Sequence, residues 1–501
     1  MPEIRLDGCR SRPLAGYLKA LGITRVLTRQ LGGEVRVRWS QDTFEVASDL
    51  DTDAFRAFWL ERYVPTPVLS PWNGGSGFYA RGNAGAVKNL TTIEQSRDPR
   101  LAPYRELIAC TRELVRTEEK PDEAEKIRLV RRLRRTWPDE ALEWLDAAVV
   151  QVGDELRFPP VLGSGGNDGR FDFSCNYMAA IADTLLDGKR SRDWLEAALF
   201  APDVPVARTT LAHFERDDSP TKAPIPDAPT LGNPWDLLLA VEGAIALIPV
   251  AARRFSGALR GSLVAPFTAR PTAAGYGSAV DGETGRAELW LPLWSAWASY
   301  AELSMLMRES RAEVRSGTRP RSATSGLDFA RAAGDLGVAR GITAFERYAL
   351  LERAGRSTLA VAVGRVSVTA RPAAVALRSL DPWWTRLQPL LADDECPRAV
   401  RAAGRRLERA LFAVADRGRS ADVCAALEAL GATENALARA ARRAEEAGIR
   451  PVFGADAAAW LEAADDSSPE FALAAALASL GDPASARRSP AMRDYLHGTL
   501  D

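Results

Sequence analysis

Three glycine-rich patches with aromatic borders hold the residue types in this 501-residue sequence that could bind a ligand. They are SPWNGGSGFY at 70–79, PPVLGSGGNDGRFDF at 159–173 and TAAGYGSAVDGETGRAELWLPLW at 272–294. Glycine lets backbone N–H groups approach a ligand closely, and such loops can clasp a sugar–phosphate chain. The second patch is not a nucleotide-binding fingerprint, because it lacks the GK[ST] ending of a P-loop and has Asp168 where GxGxxG requires glycine. For any single patch, a purely structural turn is the better interpretation.

Arginine and aromatic residues border all three patches, and this shared chemistry favours a common binding surface. Arginine contacts phosphates, and aromatic rings stack on bases. The bordering residues are Trp72, Phe78, Tyr79 and Arg81 at the first patch, Arg170, Phe171 and Phe173 at the second, and Tyr276, Arg286 and Trp290 at the third. We expect further polar contacts from Asn73, Ser76 and Asn167. These residues form a candidate nucleic-acid surface.

An arginine run in KIRLVRRLRRTW adds a candidate phosphate-tracking helix. At helical spacing, Ile127, Val130 and Leu133 face the core, and the arginines lie opposite. The run contains Arg128, Arg131, Arg132, Arg134 and Arg135. A solvated face, partly neutralised by Glu123 and Glu125, is an equally good interpretation. The same two interpretations apply to RAAGRRLERA, which carries Arg401, Arg405, Arg406 and Arg409.

Catalytic chemistry has little support in the sequence. His213 and His497 are the two histidines, so a Ser-His-Asp triad or a multi-histidine metal site is nearly excluded. A carboxylate-only metal site stays open at Asp168 and Asp172, and at Asp281 and Glu283. Asn-Asp-Gly is, however, typical turn chemistry, and we favour that interpretation. We therefore expect a non-enzyme with no metal and no cofactor.

Composition points to an intracellular globular protein. The net charge of -1 gives no global basic field, although six of the 65 basic residues are lysine and 59 are arginine. The cysteines are odd in number and widely scattered, which argues against a disulfide framework and a thiolate zinc site. No signal peptide is recognisable, and the most apolar segment, 237–252, is too short to span a bilayer and is predicted to be a buried helix. We expect a cytoplasmic location and no membrane partner.

Periodicity predicts an α+β, predominantly α-helical chain, with mixed α/β N-terminal and middle regions that contain short hairpins, and a helical C-terminal region. We expect a helix over 11–31, a hairpin over 34–48, helices through 99–152, a linker at 217–234, a helical pair over 326–350 and a hairpin over 357–368. The predicted domains are 1–216, which carries the first two glycine loops, 235–395, which is α+β, and 396–501, which is helical.

Six segments in one order resemble the large-subunit family of subtype I-G (formerly I-U) CRISPR interference complexes. The resemblance runs from Leu6 to about residue 480. The segments are LDGCRSRPLAGYLKALGITRVL, YVPTPVLSPWNGGSGFY, WLDAAVV with PPVLGSGGNDGRFDFSCNYM, PFTARPTAAGYGSA, ELWLPLW and SGLDFARAAGDLGVARGITAFERY. Six ordered motifs are far more specific than any one glycine loop.

The resemblance implies a non-catalytic subunit of a CRISPR RNA-guided surveillance complex in antiviral defence. Such a subunit is expected to bind target double-stranded DNA, recognise the protospacer-adjacent motif and recruit the helicase–nuclease. Its expected partners also include the CRISPR RNA and the backbone and small subunits. The alternatives are a structural adaptor without direct DNA contact and a carboxylate–metal nuclease using Asp168, Asp172 and Glu283.

Two features depart from what the family leads us to expect. Many members continue beyond the position of Asp501, and that part is expected to hold a helical small-subunit-like region. The net charge of -1 is low for a DNA-binding protein. Positive charge must therefore be concentrated on one face.

Overall fold

A computed structural model describes most of the chain. The described residues are 1–79, 83–115, 120–162, 167–168, 171–201, 207–208, 214, 231–252, 262–270, 285–310, 312–316, 319–353, 357–452 and 457–479.

The chain divides into two compact units that interleave in sequence. Unit 1 comprises Met1–Pro271, Ala279–Arg311 and Ala339–Arg365, and unit 2 comprises Thr272–Ser278, Ala312–Val338 and Val366–Asp501. Compactness does not establish independent folding, so the three-domain division at 1–216, 235–395 and 396–501 stays a prediction.

Helices and strands are numbered in chain order. The helices of unit 1 are α1 (Leu14–Gln30), α2 (Thr52–Ala57), α3 (Ala84–Gln95), α4 (Ala102–Leu114), α5 (Glu123–Thr136), α6 (Asp139–Ala148), α7 (Phe173–Ile181), α8 (Ser191–Phe200), α9 (Pro234–Ala244) and α10 (Tyr300–Glu309). The helices of unit 2 are α11 (Gly326–Gly334), α12 (Pro372–Ala376), α13 (Asp381–Ala392), α14 (Arg398–Asp416), α15 (Ser420–Ala438), α16 (Ala441–Glu446), α17 (Ala457–Ala464) and α18 (Pro469–Ser479). Short π-helical turns follow α2 at Phe58–Arg62 and α7 at Ala182–Asp187, and 3₁₀ turns occupy Pro99–Leu101 and Leu377–Leu380.

The strands form two sheets and several short hairpins. They are β1 (Glu3–Arg10), β2 (Arg36–Ser40), β3 (Thr43–Ala47), β4 (Val150–Val152), β5 (Glu155–Arg157), β6 (Asn167–Asp168), β7 (Phe171–Asp172), β8 (Ala207–Arg208), β9 (Leu231–Gly232), β10 (Val250–Ala252), β11 (Ser262–Val264), β12 (Thr268–Ala269), β13 (Gly285–Trp294), β14 (Glu313–Ser316), β15 (Arg319–Ser322), β16 (Ile342–Arg353) and β17 (Ser357–Ser367). The sheet orders are β1-β3-β2 and β12-β13-β16-β17. The hairpins pair β4 with β5, β6 with β7, β8 with β9, β10 with β11, and β14 with β15.

The mixed N-terminal region follows the sequence patterns closely. The apolar spacing of 11–31 produces α1, and the two alternating segments over 34–48 produce the β2–β3 hairpin. In the antiparallel register Val37 faces Val46, and Leu6 of β1 faces Phe44. All four side chains are buried, as alternation predicts for a half-buried sheet.

Two helices, α1 and α9, form the centre of unit 1. Every residue of α1 from Leu14 to Leu27 is buried, and so is nearly all of α9. Glycine permits the close approach of the two helices: a Cβ on Gly22 would overlap the carbonyl oxygen of Leu239, and one on Gly243 would overlap that of Leu18. The expectation of one buried helix over 237–252 was only partly right. The helix ends at Ala244, and β10 begins at Val250.

The four-stranded sheet overturns two predictions. The second half of the predicted helical pair over 326–350 is strand β16, and the predicted hairpin over 357–368 is the single strand β17. The charged residues of β16 caused the wrong helix prediction, because a helical pattern places them on an exposed face. Glu346 and Arg347 are instead buried and ion-paired, and Glu346 binds Arg12 and Arg365. Gly364 of the predicted hairpin lies inside β17 with φ of 141°.

The C-terminal part of unit 2 is helical, as expected. Val400, Leu407, Leu411 and Val414 form the buried face of α14, which packs against α11 and α15. A buried ion pair joins Arg331 of α11 to Asp381 of α13. Together with the mixed regions of unit 1, these helices confirm the α+β, predominantly α-helical fold class.

Candidate nucleic-acid interface

The first glycine loop, 70–79, is a tightly folded segment rather than an open cradle. The Asn73 amide donates to the Ser70 carbonyl at 2.9 Å, and the Ser76 amide donates to the Asn73 carbonyl at 3.2 Å. The Tyr79 hydroxyl closes the loop by donating to the Pro71 carbonyl at 2.5 Å. Gly77 has φ of 88°, and a Cβ there would lie 2.6 Å from the Ala86 carbonyl of α3. Glycine is therefore required at position 77 by both backbone conformation and space.

Two helices fix the entrance of this loop through side chains that reach its backbone. Trp144 of α6 donates its indole N–H to the Leu69 carbonyl at 2.7 Å, and Tyr104 of α4 donates its hydroxyl to the Val68 carbonyl at 2.6 Å. These bonds satisfy two carbonyls of a buried extended segment. Without a hydrogen-bond partner, burial of each carbonyl would cost free energy.

The polar side chains of this loop point inward. Ser76 is 1% exposed and Asn73 is 9% exposed, whereas the half-exposed positions are Gly74, Gly75 and Phe78. The hydroxyls of Ser70 and Ser76 are buried and have no hydrogen-bond partner among the described residues. An external phosphate would therefore meet the glycine backbone before it met Asn73 or Ser76. Arg81 lies outside the described residues.

The aromatic residues that border the three patches are mostly core residues. Trp72, Phe173 and Trp290 are fully buried, and Tyr79 is 3% exposed. Phe173 stacks on Phe214 with ring centroids 5.6 Å apart. Phe78 is the half-exposed member, and the Arg112 guanidinium lies 5.9 Å from its ring. The expectation that the buried rings stack on bases is not supported by their positions, because interior packing already covers both ring faces.

Residues 163–166 and 169–170 of the second patch and 272–284 of the third lie outside the described residues. Asn167 and Asp168 pair with Phe171 and Asp172 as a two-residue hairpin, of which only the backbone is described. The remaining predicted residues, Arg170, Tyr276, Asp281, Glu283, His213 and His497, fall outside the described residues, and the side chain of Arg286 does so too. In the part of the chain that is described, no group of three or more His, Cys, Asp or Glu side chains could hold a metal ion.

The arginine helix α5 has the predicted geometry. A reciprocal cap between Asp122 and Glu125 starts the helix, and Leu129, Val130 and Leu133 form its buried face. Ile127 is half-buried, and all five arginines are exposed. The predicted segregation of an apolar face from an arginine face is therefore present in the folded chain.

Carboxylates neutralise part of the arginine face. Arg131 donates to the Gln151 side chain at 3.0 Å and lies 3.5 Å from Asp154. Arg128 lies 4.0 Å from Glu125, and Arg134 pairs with Asp146. The side chains of Arg132 and Arg135 form no ion pair with any described carboxylate, and their spacing of three positions places them on one helical face. This pair, Arg132 and Arg135, is the open cationic part of α5.

The second arginine helix, α14 of unit 2, is similarly divided. Arg401 donates to the backbone carbonyls of Asp393 and Asp394, and Arg406 lies 3.6 Å from Glu428. Arg405 and Arg409 are exposed, and neither side chain pairs with a described carboxylate. Each unit thus carries its own partly neutralised arginine face.

A buried ionic cluster in unit 1 was not predicted from the sequence. Its centre is Glu242 of α9, which accepts from the Tyr63 and Tyr177 hydroxyls, each at 2.9 Å, and from the Arg25 guanidinium. The Thr66 amide and hydroxyl donate to the same carboxylate at 2.9 and 2.8 Å. Burial raises the pKa of both tyrosines well above 10. Five donors fill the carboxylate of Glu242, so this cluster stabilises the fold and has no free group for chemistry.

The cluster reaches the surface at Glu143 of α6, and this carboxylate gives unit 1 an acid-sensitive contact. Burial opposes its ionisation, but hydrogen bonds and charges from Arg25 and Arg29 outweigh burial and hold the pKa of Glu143 below its ordinary 4.5. A lowered pKa in the folded state stabilises the fold above the unfolded-state pKa, and that stabilisation is lost as pH falls through the folded pKa.

We expect Glu143→Gln to reduce the loss of stability between pH 6 and pH 3. Urea unfolding followed by tryptophan fluorescence at each pH measures the effect. The control is Glu140→Gln, which removes an exposed carboxylate from the same helix. An identical pH dependence in the two variants would contradict the assignment.

In the described ranges, no helix has both the length and the apolar character needed to cross a bilayer.

Comparison with family models and curated proteins identifies no relative. No family model matches the chain, and no curated protein matches it.

Proposed function

We propose that this chain is the large subunit of a subtype I-G CRISPR RNA-guided surveillance complex, in which it binds target DNA, recognises the protospacer-adjacent motif and helps recruit the helicase–nuclease. The observation that carries the proposal is the order of six sequence motifs within residues 6–348. In guided systems base pairing reads the sequence, and protein reads only the short flanking motif and the backbone. A protein with that role needs phosphate contacts and needs no catalytic group.

The open arginine pair of α5 supports a phosphate-contacting role. Arg132 and Arg135 are exposed and form no ion pair with a described carboxylate, and they project from a helix whose opposite face is anchored in the core of unit 1. A rigid helix with guanidinium groups on one face positions a nucleic-acid backbone without reading its sequence. The neighbours Arg128 and Arg131 add charge at the same face, although carboxylates and Gln151 partly engage them.

The glycine loop at 70–79 contributes through its backbone in this proposal. Gly74 and Gly75 are its half-exposed glycines, and glycine amides allow close approach of a phosphate. Motif recognition is assigned to the second loop, where Asn167 and Arg170 have the amide and guanidinium groups that bind base edges. Replacing both residues with alanine is the test of that assignment, and unchanged affinity with unchanged motif preference would remove them from the site.

Charge reversal at the open arginine pair tests the phosphate contact. We expect Arg132→Glu/Arg135→Glu to weaken binding of the guide-loaded complex to target DNA roughly tenfold or more. The salt dependence of the affinity should decrease by the amount expected for the loss of about two phosphate contacts. Electrophoretic mobility shift at several salt concentrations measures both quantities.

The matched control reverses two other exposed arginines of unit 1 that pair with no described carboxylate, Arg190 and Arg192. This control should bind DNA as the unmodified complex does. Equal weakening by the two double variants would show that net charge, and not α5, determines the affinity.

A structural adaptor without DNA contact is the second candidate, and the inward orientation of Asn73 and Ser76 favours it. If the loops serve subunit assembly, ultraviolet crosslinking within the complex should join DNA to other subunits only, at every salt concentration. Crosslinks to α5 that disappear as salt is raised would instead support the DNA-binding role. A gene position beside a CRISPR array and the other subtype I-G subunits would support membership of the complex under either candidate.

A further inference from the structure

Helix α18 of unit 2 is apolar on all sides and largely exposed. Its described side chains after Glu470 are Phe471, Ala472, Leu473, Ala474, Ala475, Ala476 and Leu477. Leu473 is 63% exposed and Leu477 is 47% exposed, and they lie one turn apart on the same side. Phe471 and Ala475 are the half-covered positions, again one turn apart. A helix that is apolar all round is normally buried, so we expect another surface to cover this one.

Local contacts hold α18 in place despite its exposure. The Ser468 hydroxyl accepts from the Phe471 amide at 3.0 Å, and the Ser468 carbonyl accepts from the Ala472 amide at 3.1 Å. The preceding helix α17 is anchored by Trp460, which is 4% exposed and donates to the Ser379 hydroxyl at 2.9 Å. The apolar surface is therefore presented by a capped helix that follows an anchored one.

The charged residues of the described segment 457–479 all have one sign. Glu462, Asp465, Asp466 and Glu470 are exposed, and residues 457–479 contain no lysine and no arginine. None of these carboxylates forms an ion pair with a described residue. Hydrogen bonds from Ser468 lower the pKa of Asp466, so this carboxylate is ionised at neutral pH.

This combination identifies the class of partner. Nucleic acids and anionic membrane surfaces would be repelled by the four exposed carboxylates that immediately precede the exposed leucines in the chain. A protein surface with an apolar groove or stripe and a lysine or arginine border satisfies both the apolar and the charged requirement. We propose that α18 is a docking helix for a protein partner whose apolar helical surface has a basic border. The proposal does not depend on DNA binding and stands if the chain contacts no nucleic acid.

Two synthetic helical peptides serve as probes for the full chain. Each carries one leucine stripe, bordered by lysines in the first peptide and by glutamates in the second. We expect the lysine peptide to bind, measured by fluorescence anisotropy, and the glutamate peptide to bind roughly tenfold or more weakly. In Glu462→Lys/Glu470→Lys the two new lysines balance the remaining Asp465 and Asp466, so this preference should be lost. Absence of binding by the lysine peptide, or equal binding of both peptides, overturns the proposal.

The apolar contact is tested by Leu473→Ser/Leu477→Ser, which changes exposed residues and leaves the core intact. This variant should bind the lysine peptide roughly tenfold or more weakly, because burial of two leucine side chains is lost. The control Met305→Ser removes an apolar side chain that is 63% exposed in unit 1, and it should bind normally. Sedimentation of the same proteins tests whether a second copy of this chain, and not a different protein, covers α18. If the unmodified chain dimerises and the leucine variant is monomeric, a second copy covers α18 and the proposal fails.

Discussion

Arg25→Met is expected to lower the free energy of unfolding by about 3–5 kcal/mol, as removal of one partner from a buried ion pair does. Arg25 is 1% exposed and its partner Glu242 is 0% exposed. Methionine retains much of the side-chain volume, so the loss comes from the charge and the hydrogen bonds. Glu242 would keep donors from Tyr63, Tyr177 and Thr66, but no cation would balance its charge.

Two companion variants separate the buried interaction from general charge effects. Arg29 also binds Glu143, but it is exposed, so Arg29→Met should cost less than about 1 kcal/mol. In Arg25→Met/Glu242→Gln the uncompensated charge is removed, and the double variant should be more stable than the sum of the two single changes predicts, by about 1–3 kcal/mol.

Urea unfolding at neutral pH, followed by tryptophan fluorescence, measures these differences. Trp59 and Trp235 lie in the same aromatic group as Tyr63 and report unfolding of this region of unit 1. The contrary result would be that Arg25→Met and Arg29→Met lower the free energy of unfolding equally, each by less than about 1 kcal/mol. That result would show that the buried network contributes no more than a surface pair.

The sequence predicted elements best where side-chain pattern and environment agree. The β2–β3 hairpin and the apolar face of α5 each follow from regular spacing of apolar residues with polar residues on the other side. Helix α1 also follows from its apolar spacing, although Lys19 and Arg25 are buried with the rest of it. Prediction failed in β16, where buried polar residues belong to a strand. In β16 Glu346 and Arg347 imitate the polar face of a helix, and their ion-pair partners come from distant parts of the chain. No local pattern can reveal such partners.

The candidate site divides in the same way. Exposure of the α5 arginines followed from helical periodicity, but the choice of Arg132 and Arg135 as the open pair depended on Gln151, Asp154 and Asp146, which follow α5 in the sequence. The glycine loop shows the opposite case. Its composition indicated a ligand cradle, whereas Gly77 is required by the backbone of α3, and Asn73 and Ser76 face the interior. Composition alone does not distinguish a loop that binds a ligand from one that packs against its own helix.

Gly22→Ala is expected to destabilise the chain by about 3 kcal/mol, because added atoms in a tightly packed contact force the surrounding backbone to move. Two effects oppose each other at this position. In the interior of an isolated helix, alanine is more favourable than glycine by about 1 kcal/mol. The added Cβ, however, would overlap the Leu239 carbonyl of α9 and lie 2.9 Å from the Gly243 amide nitrogen. Neither group is a flexible side-chain end, so the helices α1 and α9 would have to separate, and the packing loss exceeds the gain in helix propensity.

Gly431→Ala is the matched control for helix propensity without packing. Gly431 lies within α15, is exposed, and has no atom within 4 Å of the position of an added Cβ. We expect this variant to be more stable by about 0.5–1 kcal/mol. Thermal unfolding followed by circular dichroism compares the two variants. The close contact of α1 and α9 predicts shifts of opposite sign, whereas a stabilised Gly22→Ala protein would mean that the two helices are free to move apart and that unit 1 is not organised around their contact.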